Sequence, residues 1–238
     1  DGVSGPATVD SPVSGTARRA RGSTAGAFAA QGIAYALVLT SLPVFEDRFA
    51  VGTGEITVVI LMVCVMAAVG TVLADRLARG RGGSRAALTL GLAALVVALA
   101  WISSAPGFAV AVVGFLVYGL GLGLVDAGGN MQAVAVQQVY GRSLLASFHG
   151  AFSAAGIVGA LLVSATSGRW PQRPVVWVVL LGLPVAVVAV VLVVRWGWRG
   201  PAAGASPGAV PGARRVPRRP VLLLGICVVA YYVADSAV

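Results

Sequence analysis

The sequence has no lysine, one histidine and two cysteines, and charged residues make up only 11% of its 238 residues. Because an ordinary soluble domain has about 25% charged residues, this scarcity argues against a soluble globular protein. Cys64 and Cys227 both lie inside apolar stretches, where they are expected as small packing or lipid-facing residues and not as a disulfide or a metal site. We therefore expect neither a bound metal nor a cofactor.

What the chain has instead is apolar residues, 58% of the total, gathered in seven long stretches. A helix that crosses a hydrocarbon core of about 30 Å needs about 20 residues. The stretches cover approximately residues 25–45, 56–77, 86–102, 108–134, 144–166, 175–196 and 220–238. The sequence therefore predicts an all-α fold, a polytopic helical bundle in a membrane.

All 17 basic residues are arginines, and most lie in every second gap between the stretches. These arginines precede the first stretch or follow the second, fourth and sixth: Arg18, Arg19, Arg21, Arg76, Arg79, Arg81, Arg85, Arg142, Arg195, Arg199, Arg214, Arg215, Arg218 and Arg219. Loops rich in basic residues stay on the cytoplasmic side, so a cytoplasmic N-terminus is predicted. Since the arginines are spread over separate loops, the expected partner of the +9 net charge is anionic membrane lipid and not nucleic acid.

The composition divides the chain into four parts. Residues 1–24 lack hydrophobic periodicity and are predicted to form a disordered cytoplasmic tail, followed by a six-helix transmembrane bundle over 25–196. Residues 197–219 are rich in Pro, Gly and Arg, which predicts a flexible cytoplasmic linker, and 220–238 begin a truncated seventh helix. Because the chain begins at Asp1 and stops inside that helix, we expect a fragment of a longer protein. Six helices, a basic linker and another helix is the layout of a transporter built from two halves.

Polar residues inside the apolar stretches are the candidate functional residues. Asp126 and Asn130 are four residues apart on the fourth stretch, and His149 and Ser153 are four apart on the fifth, so each pair shares a helix face. Both pairs fall in the predicted cytoplasmic half of the membrane, where Asp126 and His149 could meet. A charge in the membrane is costly unless it is paired or hydrated, which makes the acid a functional candidate. A structural hydrogen-bond cluster between two helices is the alternative.

Three further features of the apolar stretches are noted. Gln31 and Tyr35 form a second polar face on the first stretch, suited either to a hydroxyl- or amide-bearing ligand or to hydrogen bonds between helices. Asp235 is an acid inside the seventh stretch. A run of glycines on the fourth stretch predicts close helix packing, and its members are Gly114, Gly119, Gly121 and Gly123.

Residues 73–81 read LADRLARGR between the second and third stretches. This segment resembles the loop signature of the major facilitator superfamily, a Gly-x-Leu-Ala-Asp-Arg run that leads into a glycine and a basic cluster. In that family the acid pairs with neighbouring helix ends and steadies one of the alternating states. The resemblance therefore implies a conformational role for Asp75 and Arg76.

Residues 126–132 read DAGGNMQ and residues 147–153 read SFHGAFS. They resemble a YbjJ-like subgroup of bacterial major facilitator proteins, which carry Asp-x-x-x-Asn-x-Gln on the fourth helix and Ser-Phe-His at the start of the fifth. The resemblance covers about residues 25–238 and adds Gln132 to the candidates for substrate binding or coupling. It implies a twelve-helix carrier of the bacterial inner membrane, with this chain as its N-terminal half and the C-terminal half of the same chain as its partner.

The function implied is secondary transport of a small solute by alternating access, with coupling to protons as one alternative. A drug or metabolite efflux antiporter is the second alternative. The drug–proton antiporters of the superfamily resemble one another in a Gly-Pro-containing run on the fifth helix and an arginine inside the fourth. Both are missing from residues 144–166 and 108–134 here, which favours uptake or facilitated movement. A membrane sensor is a weaker alternative. An intramembrane serine protease would need a Gly-x-Ser-Gly segment inside an apolar stretch, and the run of this form, GVSG at residues 2–5, precedes the first stretch, so no enzyme is expected.

Overall fold

The computed structural model describes residues 14–167 and 181–199, which contain seven helices and no strand. The helices are α1 Gly15–Thr40, α2 Leu42–Phe49, α3 Thr53–Ala78, α4 Gly83–Ser104, α5 Phe108–Tyr140, α6 Leu145–Ser167 and α7 Leu183–Trp196. All of these except α2 and α7 are long and apolar enough to cross a membrane. The predicted fold class, an all-α polytopic bundle, is confirmed.

The long helices pack in two layers. A front layer runs in the order α3, α5, α1 and α6, because α5 packs on α3, α1 packs on α5, and α6 packs on α1. A back layer consists of α4, which packs behind α5 and α3, and α7, which packs behind α1 and beside α4. The front face, defined as the side of the front layer away from α4 and α7, is left uncovered by the described residues.

Close helix packing at the glycines of α5 brings its backbone against both neighbours. A Cβ atom at Gly123 would collide with the backbone carbonyl of Ala67 on α3, and one at Gly119 would lie 2.5 Å from the carbonyl oxygen of Val63. On the opposite side, Gly121 and Gly128 face α4, where a Cβ at Gly128 would lie 2.7 Å from the amide nitrogen of Leu88. The predicted packing role of this glycine run is confirmed, since small residues let transmembrane backbones approach closely.

Helix α1 begins ten residues before the first apolar stretch, so residues 15–24 are helical and not part of a disordered tail. The hydroxyl of Ser14 accepts a hydrogen bond from the Ala17 amide at 3.2 Å, which caps the first turn. Ala20 is fully buried in an apolar cluster with residues of α5 and α6. Hydropathy did not predict helix over residues 15–24, because the arginines there face outward and small residues form the packing face.

Other helix ends also differ from the apolar stretches. The first stretch was predicted to continue to residue 45, but α1 ends at Thr40 and the short α2 follows, with Pro43 in its first turn. Arg48 of α2 donates to the carbonyl oxygens of Ser103 at 3.1 Å and Ala105 at 2.8 Å, and so caps the C-terminal end of α4. Helix α5 runs six residues past its apolar stretch and stops at Gly141, whose φ of 62° is readily adopted by glycine.

Several predicted segments lie outside the described residues. They are residues 1–13 of the tail, most of the linker over 197–219, the beginning of the sixth stretch, and the seventh stretch with Asp235. Helix α7 corresponds to the part of the sixth stretch that is described.

Candidate functional site

The front face carries exposed polar side chains on helices that are otherwise apolar. Successive residues of a helix are about 100° apart, so residues nine apart lie on nearly opposite sides. Gly26 of α1 faces Leu192 of α7 in the back layer, and Tyr35, nine residues later, therefore points to the front. The side chain of Tyr35 is 45% exposed. A large phenol group thus stands uncovered on the front face.

Asp126 and Asn130 place a carboxylate and an amide on the same face of α5. Gly128 packs on α4, and Asp126 lies about 200° away around the helix, which directs it to the front. Asp126 is exposed in the described bundle. The Asn130 amide nitrogen donates to the Asp126 carbonyl oxygen at 2.9 Å and to its carboxylate Oδ1 at 3.4 Å. The other carboxylate oxygen and the Asn130 side-chain oxygen make no hydrogen bond to any described residue.

His149 and Ser153 are exposed on α6 beside its contact with α1. The imidazole of His149 meets the ring of Phe28 edge-on, with centroids 5.2 Å apart, and Phe28 also stacks on Phe148. One helix turn further along, the rings of Tyr35 and Phe152 lie 6.4 Å apart. Because Phe28 and Tyr35 are seven residues apart, they share one face of α1, so His149 lies beside that front-facing row.

Asp126 and His149 do not form the direct contact that the sequence made possible. No hydrogen bond or ion pair joins them within residues 14–167 and 181–199, because α1 lies between their helices. The ring of Phe28 fills this position: it packs on His149 on one side, and a Cβ at Gly129, next to Asn130, would lie 3.3 Å from its Cε2 atom on the other. The imidazole and the α5 backbone at Gly129 therefore flank an aromatic ring.

The two glutamines among the candidates occupy different environments. Gln31 is 8% exposed on the front side of α1. Its amide makes no hydrogen bond to a described residue, and it is not among the polar groups that are fully shielded from solvent. Gln132 is 1% exposed and lies on another side of α5 from Asp126, since six residues correspond to about 240°. Its amide nitrogen donates to Ser84 Oγ at 2.8 Å and to the Trp198 carbonyl oxygen at 3.2 Å, and its oxygen accepts from the Trp198 amide at 2.8 Å. These bonds tie the chain after α7 to α4 and α5.

Asp75 and Arg76 are exposed at the C-terminal end of α3. Asp75 pairs with Arg79, four residues later in the same helix turn. The family resemblance implied a bond from this acid to a neighbouring helix end, whereas its ion pair among the described residues is within its own turn.

Two residues that support the site were not among the predicted site residues. Phe28 looks like one more apolar residue of the first stretch, and only its seven-residue spacing from Tyr35 relates it to the front face. Gln137 accepts hydrogen bonds from the amides of Leu144 at 2.9 Å and Leu145 at 3.3 Å, and so satisfies the first amides of α6. Its bonds fix where α6, with His149 and Ser153, begins. Within the described chain, His, Cys, Asp and Glu form no group of three or more that could hold a metal ion.

Comparison with known proteins finds similarity to a transporter. No protein-family model matches the chain, and no solved structure matches it. An uncharacterized MFS-type transporter of Yersinia pestis is 33% identical over 146 residues, which are 60% of this chain and 37% of that protein. The chain thus spans little more than a third of the relative's length. Over the matched residues it is similar to a transporter of the major facilitator type, which supports the superfamily resemblance of its motifs.

Proposed function

We propose that this chain is part of a secondary transporter of the major facilitator type, which moves a small polar solute across the bacterial inner membrane by alternating access. The observation that carries the proposal is the front face, where Tyr35, Asp126, Asn130 and His149 are uncovered on helices of membrane-crossing length. The similarity to an MFS-type transporter agrees with it.

A polar surface inside a membrane is costly unless it meets water or protein. An exposed carboxylate facing hydrocarbon costs about 3 kcal/mol or more, so the front face must line water or be covered by protein. In transporters built from two repeated halves, the solute lies between the halves near the middle of the membrane. A second wall opposite the front face, supplied by the C-terminal half of the same polypeptide, would enclose a polar path there.

The side chains of the front face fit a solute that offers both donors and acceptors. An ionised carboxylate only accepts hydrogen bonds, a phenol both donates and accepts, and an amide offers each on separate atoms. Asp126 keeps a free carboxylate oxygen while Asn130 holds the other one. We propose that Asp126 changes its protonation or its partner between the inward-open and outward-open states, with His149 across Phe28 as the second titratable group, and so links uptake to protons.

Proteoliposome uptake by the longer natural polypeptide tests this function, with a panel of sugars, amino acids and drugs under an imposed pH gradient. For the solute that is taken up, Asp126→Asn keeps the side-chain shape and removes the charge. We expect it to lower pH-driven uptake by about tenfold or more, which corresponds to about 1.4 kcal/mol. Residues 1–238 alone should show no saturable uptake, because they provide one wall.

The matched control is Asp47→Asn, which removes an exposed acid from α2, away from the front face. It should leave uptake unchanged. Unchanged pH dependence in both Asp126→Asn and His149→Ala would show that these residues are structural at most, and saturable uptake by residues 1–238 would overturn the two-wall arrangement.

We also propose that the N-terminus is cytoplasmic. The described arginines near the starts of α1, α4 and α6 and the ends of α3, α5 and α7 share one end of the bundle, with Arg48 at the other, and basic ends stay inside. In a background with Cys64 and Cys227 replaced, Gly54→Cys should react with an impermeant reagent in intact cells, while Arg81→Cys should not. Both positions tolerate the change: Arg81 is exposed, and a Cβ at Gly54 has no neighbour within 4 Å. The reverse labelling pattern would refute this orientation.

A further inference from the structure

A basic cavity lies between the first turns of α1 and the end of α7. Its volume is about 260 Å³, and its lining includes three arginines, Arg19, Arg195 and Arg199, with the indoles of Trp196 and Trp198. None of the described residues that line it is acidic. The cavity is at the arginine-rich end of the bundle and belongs to the side of α1 that meets α7, not to the front face.

The three arginines of this cavity are not used to hold the described fold together. Elsewhere, Arg48 and Arg85 donate to backbone carbonyl oxygens at helix ends, and Arg79 pairs with Asp75. By contrast, none of the three guanidinium groups in the cavity bonds to an acid or a carbonyl in residues 14–167 and 181–199. Their positive charges are therefore available to an external anion.

The wall of the cavity after α7 is held in place by specific bonds. The Gln132 side chain donates a hydrogen bond to the Trp198 carbonyl oxygen at 3.2 Å and accepts one from the Trp198 amide at 2.8 Å. Arg85 donates to the Val194 carbonyl oxygen at 2.9 Å, which anchors the last turn of α7 to α4. Because the backbone of residues 194–198 is fixed by these bonds, an anion that binds there meets a largely preformed site, which lowers the entropic cost of binding.

The surroundings of the cavity distinguish a lipid from a soluble anion. Planar guanidinium groups suit phosphate oxygens, since they can donate two parallel hydrogen bonds. Below the cavity, α7 exposes a strip of valines that includes Val187, Val191 and Val194, and Trp196 is 40% exposed at the boundary. Tryptophan at such a boundary is typical of the membrane interface. We propose that this cavity binds the headgroup of an anionic phospholipid, with the acyl chains along the valine strip of α7.

The test measures binding of phosphatidylglycerol to the purified polypeptide in detergent by native mass spectrometry, with phosphatidylcholine of the same acyl chains as the neutral probe. The variant Arg195→Gln/Arg199→Gln removes two charges from the cavity. The control Arg81→Gln/Arg142→Gln removes two exposed charges from other loops at the same end. Since one basic residue beside an anionic surface contributes a factor of about five, the cavity variant should bind phosphatidylglycerol about twenty-fivefold more weakly. The control should bind it nearly as well as the unmodified protein.

Gln132→Leu adds a readout that charge alone does not predict. It keeps every arginine but removes both bonds to Trp198, so it should weaken phosphatidylglycerol binding and leave the weak phosphatidylcholine binding unchanged. If both arginine variants lose phosphatidylglycerol binding equally, the lipid is attracted by the overall positive charge and the proposed site is wrong. Equal binding of both lipids by the unmodified protein, a comparison that needs no variant, would also overturn it. Displacement of phosphatidylglycerol by inorganic phosphate at equal concentration would assign the cavity to a soluble anion instead.

Discussion

Replacement of Gly32 by leucine is expected to separate α6 from α1 and to leave little folded protein. A Cβ at Gly32 would collide with the backbone carbonyl of Phe152, and the contacts of α6 with the rest of the bundle are mainly with α1. A flexible side chain could turn aside, but a helix backbone must move as a whole. We therefore expect the folded state to lose at least about 3 kcal/mol of stability, which is the upper end of the range for overpacked sites. The measurement is the fraction of monodisperse protein after a heating series in detergent.

Gly150→Leu is the matched control for this prediction. Gly150 lies on α6, the helix that Gly32 of α1 meets, and a Cβ there has no neighbour within 4 Å. The same change in size and backbone freedom should therefore leave the thermal profile close to that of the unmodified protein. If the two variants lose monodisperse protein at the same temperature, the close approach of α1 and α6 at Gly32 does not hold the front layer together.

The order of the first five long helices could be predicted from the sequence, but their ends could not. Apolar runs mark the part of a helix that faces lipid or core, and hydropathy says little about turns that are held by caps or small side chains. Residues 15–24 form helix because Ser14 caps them and Ala20 packs against α5 and α6. At the C-terminal end of α5, the helix continues past residue 134. Its last turns carry Gln137, which binds the amides that begin α6.

The candidate site was predictable where one helix decides the geometry. The four-residue spacing of Asp126 and Asn130 correctly placed both on one face, and their hydrogen bond follows from it. The contact between Asp126 and His149 depended on which helices are neighbours, and depth along the membrane does not contain that information. The intervening α1, with Phe28, separates the two residues. Gln132 was grouped with Asp126 by motif, although a six-residue spacing already directs it to another side of the helix.

The separation of Asp126 from His149 changes how coupling between them would work. Two groups in contact would exchange a proton or share a bond, whereas here the Phe28 ring packs on His149 and on the α5 backbone at Gly129, three residues from Asp126. A shift of Phe28 would then alter the surroundings of both sides at once. Two interactions would report such a shift. They are the hydrogen bond from Asn130 to Asp126 and the edge contact of His149 with Phe28.

In the proposed transporter, the front face lines an aqueous solute path and the back layer faces lipid. Tyr35 and Val188 allow a direct comparison, since their side chains are 45% and 55% exposed in the described bundle. Gly26 of α1 faces Leu192, and a Cβ at Gly182 would lie 3.1 Å from Leu37, so the intervening segments of α1 and α7 run side by side. Tyr35 and Val188 are therefore within about four residues, or about 6 Å, of the same depth. They differ in that Tyr35 is on the front face and Val188 belongs to the back layer.

The most direct measurement is therefore the rate at which a charged, water-soluble thiosulfonate modifies Tyr35→Cys and Val188→Cys in membranes. Both variants are made in the longer polypeptide with Cys64 and Cys227 replaced. Because the reactive species is the thiolate, which apolar surroundings disfavour, we predict that Tyr35→Cys reacts at least about tenfold faster than Val188→Cys. A Tyr35→Cys variant that reacts no faster than Val188→Cys would contradict the assignment of the front face to a water-filled path.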